Sequence, residues 1–166
     1  MSALVRLRPY GDADAWLVEA IEGDPRMMAD LGGATPRERF ADVHSRRVAG
    51  VLSGAHHYFV VETPGAERVL GTIGIWASRL GAEEILEAGW MILPGSQGRG
   101  YATAAGRALL ELARERGLRG PLHAFPAAAN RASNAVCRKL GFTLAGEVDL
   151  SYNGPAYRCN DWRVDL

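Results

Sequence analysis

Lysine is almost missing from this chain: Lys139 stands alone among 166 residues, and every other basic residue counted with it is arginine. No Gly-Lys-Ser or Gly-Lys-Thr occurs, which excludes the Walker type of nucleotide loop. Cysteine is also scarce. Cys137 and Cys159 belong to no CxxC pair and have no histidine at ligand spacing, so neither a disulfide nor a zinc site is expected. His56 and His57 are adjacent in a β-rich run and would leave a strand on opposite faces, which excludes a shared metal there. No charge of one sign predominates, with 19 basic and 19 acidic side chains. There is then no long-range pull towards nucleic acid or an anionic membrane, and neither is an expected partner. No apolar run approaches the roughly 20 residues needed to cross a bilayer, and the stretch from Met1 to Arg6 lacks a signal-peptide core. A cytoplasmic protein is expected. Repeats, low-complexity segments and linkers are missing too, so residues 1–166 read as one domain able to bury its core without staples.

What is present centres on the run from Trp90 to Thr103. Apolar residues up to Leu93 make a buried strand, Pro94-Gly95 stops it, and from Ala102 the positions Ala102, Ala105, Leu109, Leu112 and Ala113 recur at helical spacing. A helix is expected to begin near Gly98. Its first amides lack intrahelical partners and carry the positive end of the dipole, which suits a diphosphate. Gly98 and Gly100 let a bulky ligand approach the backbone, and Arg99 adds charge at the rim. The dinucleotide fingerprint fails, because its third glycine would fall where Thr103 stands.

Periodicity and turn signals organise the remainder. A strand over Leu4 to Arg8 precedes an amphipathic stretch from Asp12 carrying Ala15, Trp16, Ala20 and Ile21. Thr35-Pro36-Arg37-Glu38 caps a second helix, with proline at its first position, running to about Leu52. Strands follow at His57 to Glu62, Arg68 to Ser78 and Ile85 to Leu93. The glycine-start helix ends at Gly117. Then come a short strand over Leu122 to Phe125 and a helix from Asn130 to Leu140 stopped by Gly141. Two last strands, Phe142 to Asp149 and Tyr157 to Leu166, are joined through Asn153-Gly154-Pro155.

Gln97 to Ala102 spell Gln-x-x-Gly-x-Ala, which resembles the acetyl-coenzyme A motif of the GCN5-related N-acetyltransferases. The segment from Asn130 to Phe142 resembles the same family's Asn-x-x-Ser/Ala … Lys-Leu-Gly-Phe signature, and the element order matches along nearly the whole chain. Glu87-Ala88-Gly89-Trp90 and Asn130-x-x-Ser133-Asn134 look most like the subgroup that contains ribosomal-protein N-terminal acetyltransferases. The resemblance implies a mixed α/β (α+β) fold with a mostly antiparallel central sheet of about seven strands and about four flanking helices. It also implies acetyl-coenzyme A as cosubstrate, no metal, and a small-molecule or peptide amine as acceptor.

Acetyl transfer from a thioester to an amine needs a held donor, a neutral amine, a hydrogen bond to the carbonyl oxygen and a proton for the leaving thiolate. Gln97, Gly98, Arg99, Gly100, Tyr101, Ala102 and Thr103 form the cradle. The resemblance places Trp90, Met91 and Ile92 beside pantetheine, with a backbone amide for the thioester oxygen. Glu87, where family members often carry a basic carboxylate, is the candidate base, with Glu84 in reserve. Asn130 falls where the family touches pantetheine or a water and is also an ordinary helix cap. Many members carry a tyrosine seven residues later as the acid, but Cys137 stands there. Ser133, one turn earlier on that face, is the candidate acid; it and Cys137 are also candidate cofactor contacts, although Cys137 reads more readily as a small buried apolar residue. Trp76, Trp90 and Tyr152 are aromatic candidates for the acceptor pocket. A donor-binding sensor without turnover and an unrelated nucleotide binder are the competing classes. The final strands offer edges for a homodimer.

Overall fold

The computed structural model describes residues 4–152 and 154–166; the expectations for Met1 to Ala3 and for Asn153 in the last turn lie outside the described residues. The strands are Arg6–Pro9 (β1), His56–Glu62 (β2), Val69–Leu80 (β3), Glu83–Ile92 (β4), Pro121–Ala124 (β5), Thr143–Leu150 (β6) and Tyr157–Asp165 (β7). They form a seven-stranded sheet in the order β1-β2-β3-β4-β5-β7-β6. Among the described residues only β4 and β5 run parallel; every other neighbouring pair is antiparallel. The helices are Trp16–Ile21 (α1), Phe40–Ser53 (α2), Tyr101–Glu115 (α3) and Arg131–Lys139 (α4). This is the mixed, mostly antiparallel architecture that the sequence implies.

Helices cover both faces. Ala105, Leu109, Leu110 and Ala113 of α3 and Cys137 of α4 pack with Phe59, Val61, Ile73 and Ile75 on one side. Leu17 and Ile21 of α1 pack with Tyr58 and Val60 on the other, flanked by Val48 and Val51 of α2. Alternate β2 residues therefore serve different cores, which explains an apolar run with no polar alternation.

Four local expectations need correction. Ala15 and Trp16 are exposed, Trp16 by 48 %, and α1 buries Leu17 and Val18 beside the expected Ile21. The stretch from Asp12 opens as a short 3-10 turn, in which Asp14 is drawn inward by a bidentate bond from Arg8 and by the Gly11 amide. Pro36 is extended (ψ 140°) and sits before a 3-10 turn over Arg37–Arg39, so it precedes the helix instead of occupying its first position. The cradle helix starts at Tyr101, not near Gly98, because Gly98 and Gly100 take φ of 74° and 81°, which a right-handed helix cannot contain.

Asn134 locks α4 to the sheet. Its amide nitrogen donates to the carbonyls of Ala127 (3.0 Å) and Asn130 (2.7 Å), and its oxygen accepts from Asn160 Nδ2 (2.7 Å) and Trp162 Nε1 (2.8 Å). Truncation to alanine strands buried donors and acceptors together, with an expected loss of about 2–4 kcal/mol. Chemical denaturation of Asn134→Ala measures this, and a midpoint equal to wild type would contradict it.

Candidate active site

The sheet parts at its centre. β4 pairs with β3 without a break from Leu80↔Glu83 to Gly71↔Ile92, yet it meets β5 only at Leu86↔Leu122 and Glu87↔His123. Past Glu87 the β4 backbone has no strand partner on the β5 side among the described residues. A cleft of about 690 Å³ opens there, with Ala88, Gly89, Trp90 and Met91 on one wall and Ala124, Phe125, Pro126 and Ala127 on the other. An unpaired strand edge offers amides and carbonyls to any ligand with complementary groups. Trp90 packs towards the main core and Met91 towards the second, so the backbone is what β4 presents between them. Ile92 is buried.

The cradle follows the same strand. The first helical bond of α3 runs from Ala104 N to Gly100 O (3.0 Å), leaving the amides of Tyr101, Ala102 and Thr103 at the open, positive end. A Cβ built on Gly98 or Gly100 meets nothing within 4 Å. Space and donors thus coincide, and the residues present fit a diphosphate. Arg99 is exposed beside them. Gln97 does something different from the expected ligand contact: its Nε2 donates to Ile92 O (2.8 Å), fixing the cradle to the strand end.

Glu87 lies in this cleft, half-buried, opposite Trp76 on β3 and His123 on β5. Burial raises its carboxyl above the ordinary value, while hydrogen bonds from Ser78 and Trp76 and the charge of His123 act the other way. A carboxylate moved towards neutrality is a better proton acceptor. His123 is itself buried, with Nδ1 2.8 Å from Asp161 Oδ1, and Asp161 Oδ2 pairs with Arg163 (2.7 Å). Glu84 is exposed and does not line the cleft.

The other lip is the start of α4. Asn130 Oδ1 accepts from Ser133 N (3.1 Å), the capping bond expected of it, and both residues line the cleft. Cys137 does not join them. It has no exposed surface, packs in the main core, and burial pushes its thiol up to about 12. The structure therefore brings Ser133 to the cleft and encloses Cys137.

Trp76 and Tyr152 also line the cleft, as expected. Its far end contains residues that the sequence did not single out: Glu22 after α1, Arg47 on α2, and Tyr58 and Thr72 on neighbouring strands. Arg47 forms an ion pair with Glu22 and lies 4.7 Å above the Tyr58 ring, whose hydroxyl donates to Thr72 Oγ1 (3.0 Å). No local signal links positions 25 residues apart on different elements.

Among the described residues no group of three or more His, Cys, Asp or Glu side chains could hold a metal ion, and no helix is long and apolar enough to cross a membrane. No curated protein sequence matches the chain. Solved structures similar to it include an acetyltransferase from Agrobacterium tumefaciens (26 % identity, TM-score 0.78, covering 98 % of this chain and 91 % of that one). The ribosomal-protein-S5-alanine acetyltransferase from Vibrio fischeri shares the fold at 18 % identity (TM-score 0.75, 99 % and 94 % covered). So does the spermidine N-acetyltransferase from Vibrio cholerae, in complex with CoA and spermine (18 % identity, TM-score 0.77, 99 % and 96 % covered). The family model described as "Acetyltransferase (GNAT) domain" matches residues 4–143. With that match over most of its length, and with the parted strands and glycine cradle in place, the chain belongs to the GNAT acetyltransferase family.

Proposed function

We propose that the protein is an acetyl-coenzyme A dependent N-acetyltransferase that passes the acetyl group to a primary amine by direct attack. The observation that carries this is the half-buried Glu87, its basicity raised by burial, set in the cleft where β4 and β5 separate. Acetyl-coenzyme A, when bound, supplies the acetyl group as a thioester. The amides of Tyr101, Ala102 and Thr103 and the room beside Gly98 and Gly100 would hold its diphosphate, with Arg99 at the rim. The free edge of β4 from Ala88 to Met91 would bind its amide-bearing arm and steady the thioester oxygen. Glu87 takes the proton from the arriving ammonium, directly or through a water. The Ser133 hydroxyl gives or relays a proton to the departing sulfur. Coenzyme A thiol release with a panel of primary amines tests the reading, and it fails if no amine gives release above hydrolysis.

A second reading, a donor-binding sensor without turnover, is favoured by Cys137 in the place where many family members carry tyrosine. It requires coenzyme A binding without thiol release. The two candidates on α4 give opposite expectations. Ser133→Ala is expected to slow turnover by about tenfold or more. Cys137→Ser is expected to keep kcat within about threefold and to cost stability, because a hydroxyl replaces a thiol in an apolar core. Steady-state rates beside donor affinity decide. Full activity in Ser133→Ala with collapse in Cys137→Ser would reverse the roles.

A further inference from the structure

We infer that the far end of the cleft selects acceptors carrying a second, uncharged hydrogen-bond donor, an amide N–H or a hydroxyl, and that Glu22 reads it. This deepens the acetyl-transfer reading of the same cleft and rests on it. The Glu22 side chain is only 4 % exposed, and the Arg47 guanidinium engages Oε1. Oε2 is buried with no hydrogen-bond partner, the one such side-chain atom among the described residues. Buried polar atoms are nearly always satisfied, so an orphaned carboxylate oxygen on a residue that lines a cleft marks the place of a partner. Neighbouring groups do not fill it: the Tyr58 hydroxyl is turned to Thr72, and the Tyr152 side chain, which feels the Glu22 charge, makes no hydrogen bond to Oε2.

Charge decides the class of donor. Arg47 already balances Glu22, and Arg39, Arg46 and Arg79 line the same cleft. Asp30 and Glu87 are the further acids there. Because Asp42 pairs with Arg46 (3.0 Å), the wall has no net negative charge to offer, and a second ammonium on the acceptor would be desolvated without compensation. A neutral N–H or O–H satisfies Oε2 and adds no charge. Peptide-like and hydroxylated amines therefore suit this end better than diamines.

The test uses the full chain, acetyl-coenzyme A and linear primary amines of graded length ending in an N-methylamide, an N,N-dimethylamide or a second ammonium. At the best length, kcat/KM for the N-methylamide is expected to exceed both others by about tenfold, mainly through KM. In Glu22→Gln the amide oxygen can still accept from Arg47 while its NH₂ takes the place of Oε2, so a donor meets a donor. The preference for N-methylamide over dimethylamide is then expected to vanish, with coenzyme A affinity unchanged. Equal kcat/KM for the two amides in active wild type, or preference for the diamine, overturns the inference and leaves acetyl transfer standing. Persistence of the preference in Glu22→Gln also overturns it. Coenzyme A binding without thiol release from any amine removes both readings. The wild-type comparison stands alone if the variant does not fold.

Discussion

Glu87→Gln is expected to lower kcat by about 10²–10⁴-fold at neutral pH while leaving coenzyme A affinity close to wild type, the usual worth of general-base help. Glutamine keeps the shape and can still bond Ser78 and Trp76, so a loss of rate reports the missing proton acceptor and not a collapsed cleft. The pH profile is the sharper readout. In wild type the rate rises as Glu87 loses its proton, with the midpoint above 4.5 because burial raises it. The variant lacks that limb, and its deficit shrinks as pH approaches the pKa of the amine. A constant deficit across that range would count against Glu87 as the base. Stability moves the opposite way. A carboxyl whose pKa is raised on folding binds more protons in the native state between its unfolded and folded values. The wild type then loses stability as pH rises through that window, and Glu87→Gln does not. A variant slower yet slightly more stable at neutral pH is the expected combination.

Gly100→Val is expected to weaken coenzyme A binding by at least about 100-fold, with a folding cost of about 1–2 kcal/mol from a branched residue at φ 81°. The first Cβ meets nothing within 4 Å, so the protein itself has room for it. The lost affinity comes from filling the space before the free amides of α3. Gly100→Ala shares the strained backbone without the branch and separates the two effects: alanine should keep more affinity than valine at similar stability cost. Calorimetric titration of the folded variants with coenzyme A settles this, and unchanged affinity in Gly100→Val removes the cradle from the mechanism.

Much of this site was legible before any coordinates because its signals are local. Pro94-Gly95 after an apolar run, glycines at 98 and 100, and the helical spacing from Ala102 all act within a few residues. Asn130 as a cap is likewise a property of one turn, and the order of strands and helices follows from period and punctuation. What escaped is non-local. The register that lets β4 meet β5 at only two residue pairs depends on β7 and on both helical layers. The Glu22–Arg47 pair joins α1's end to α2 across a core that no spacing rule describes. Trp16 illustrates the same limit: an apolar residue beside a helix start reads as core, but the angle at which α1 docks turns it outward.

The two-pair junction between β4 and β5 divides the sheet into two plates, β1-β2-β3-β4 and β5-β7-β6, joined along a short seam. A ligand lying in the gap acts as a partial strand and touches both plates. If the proposed function holds, a ligand in the gap would brace the seam where Glu87 pairs with His123, so that loading the cleft and holding the base become one mechanical event.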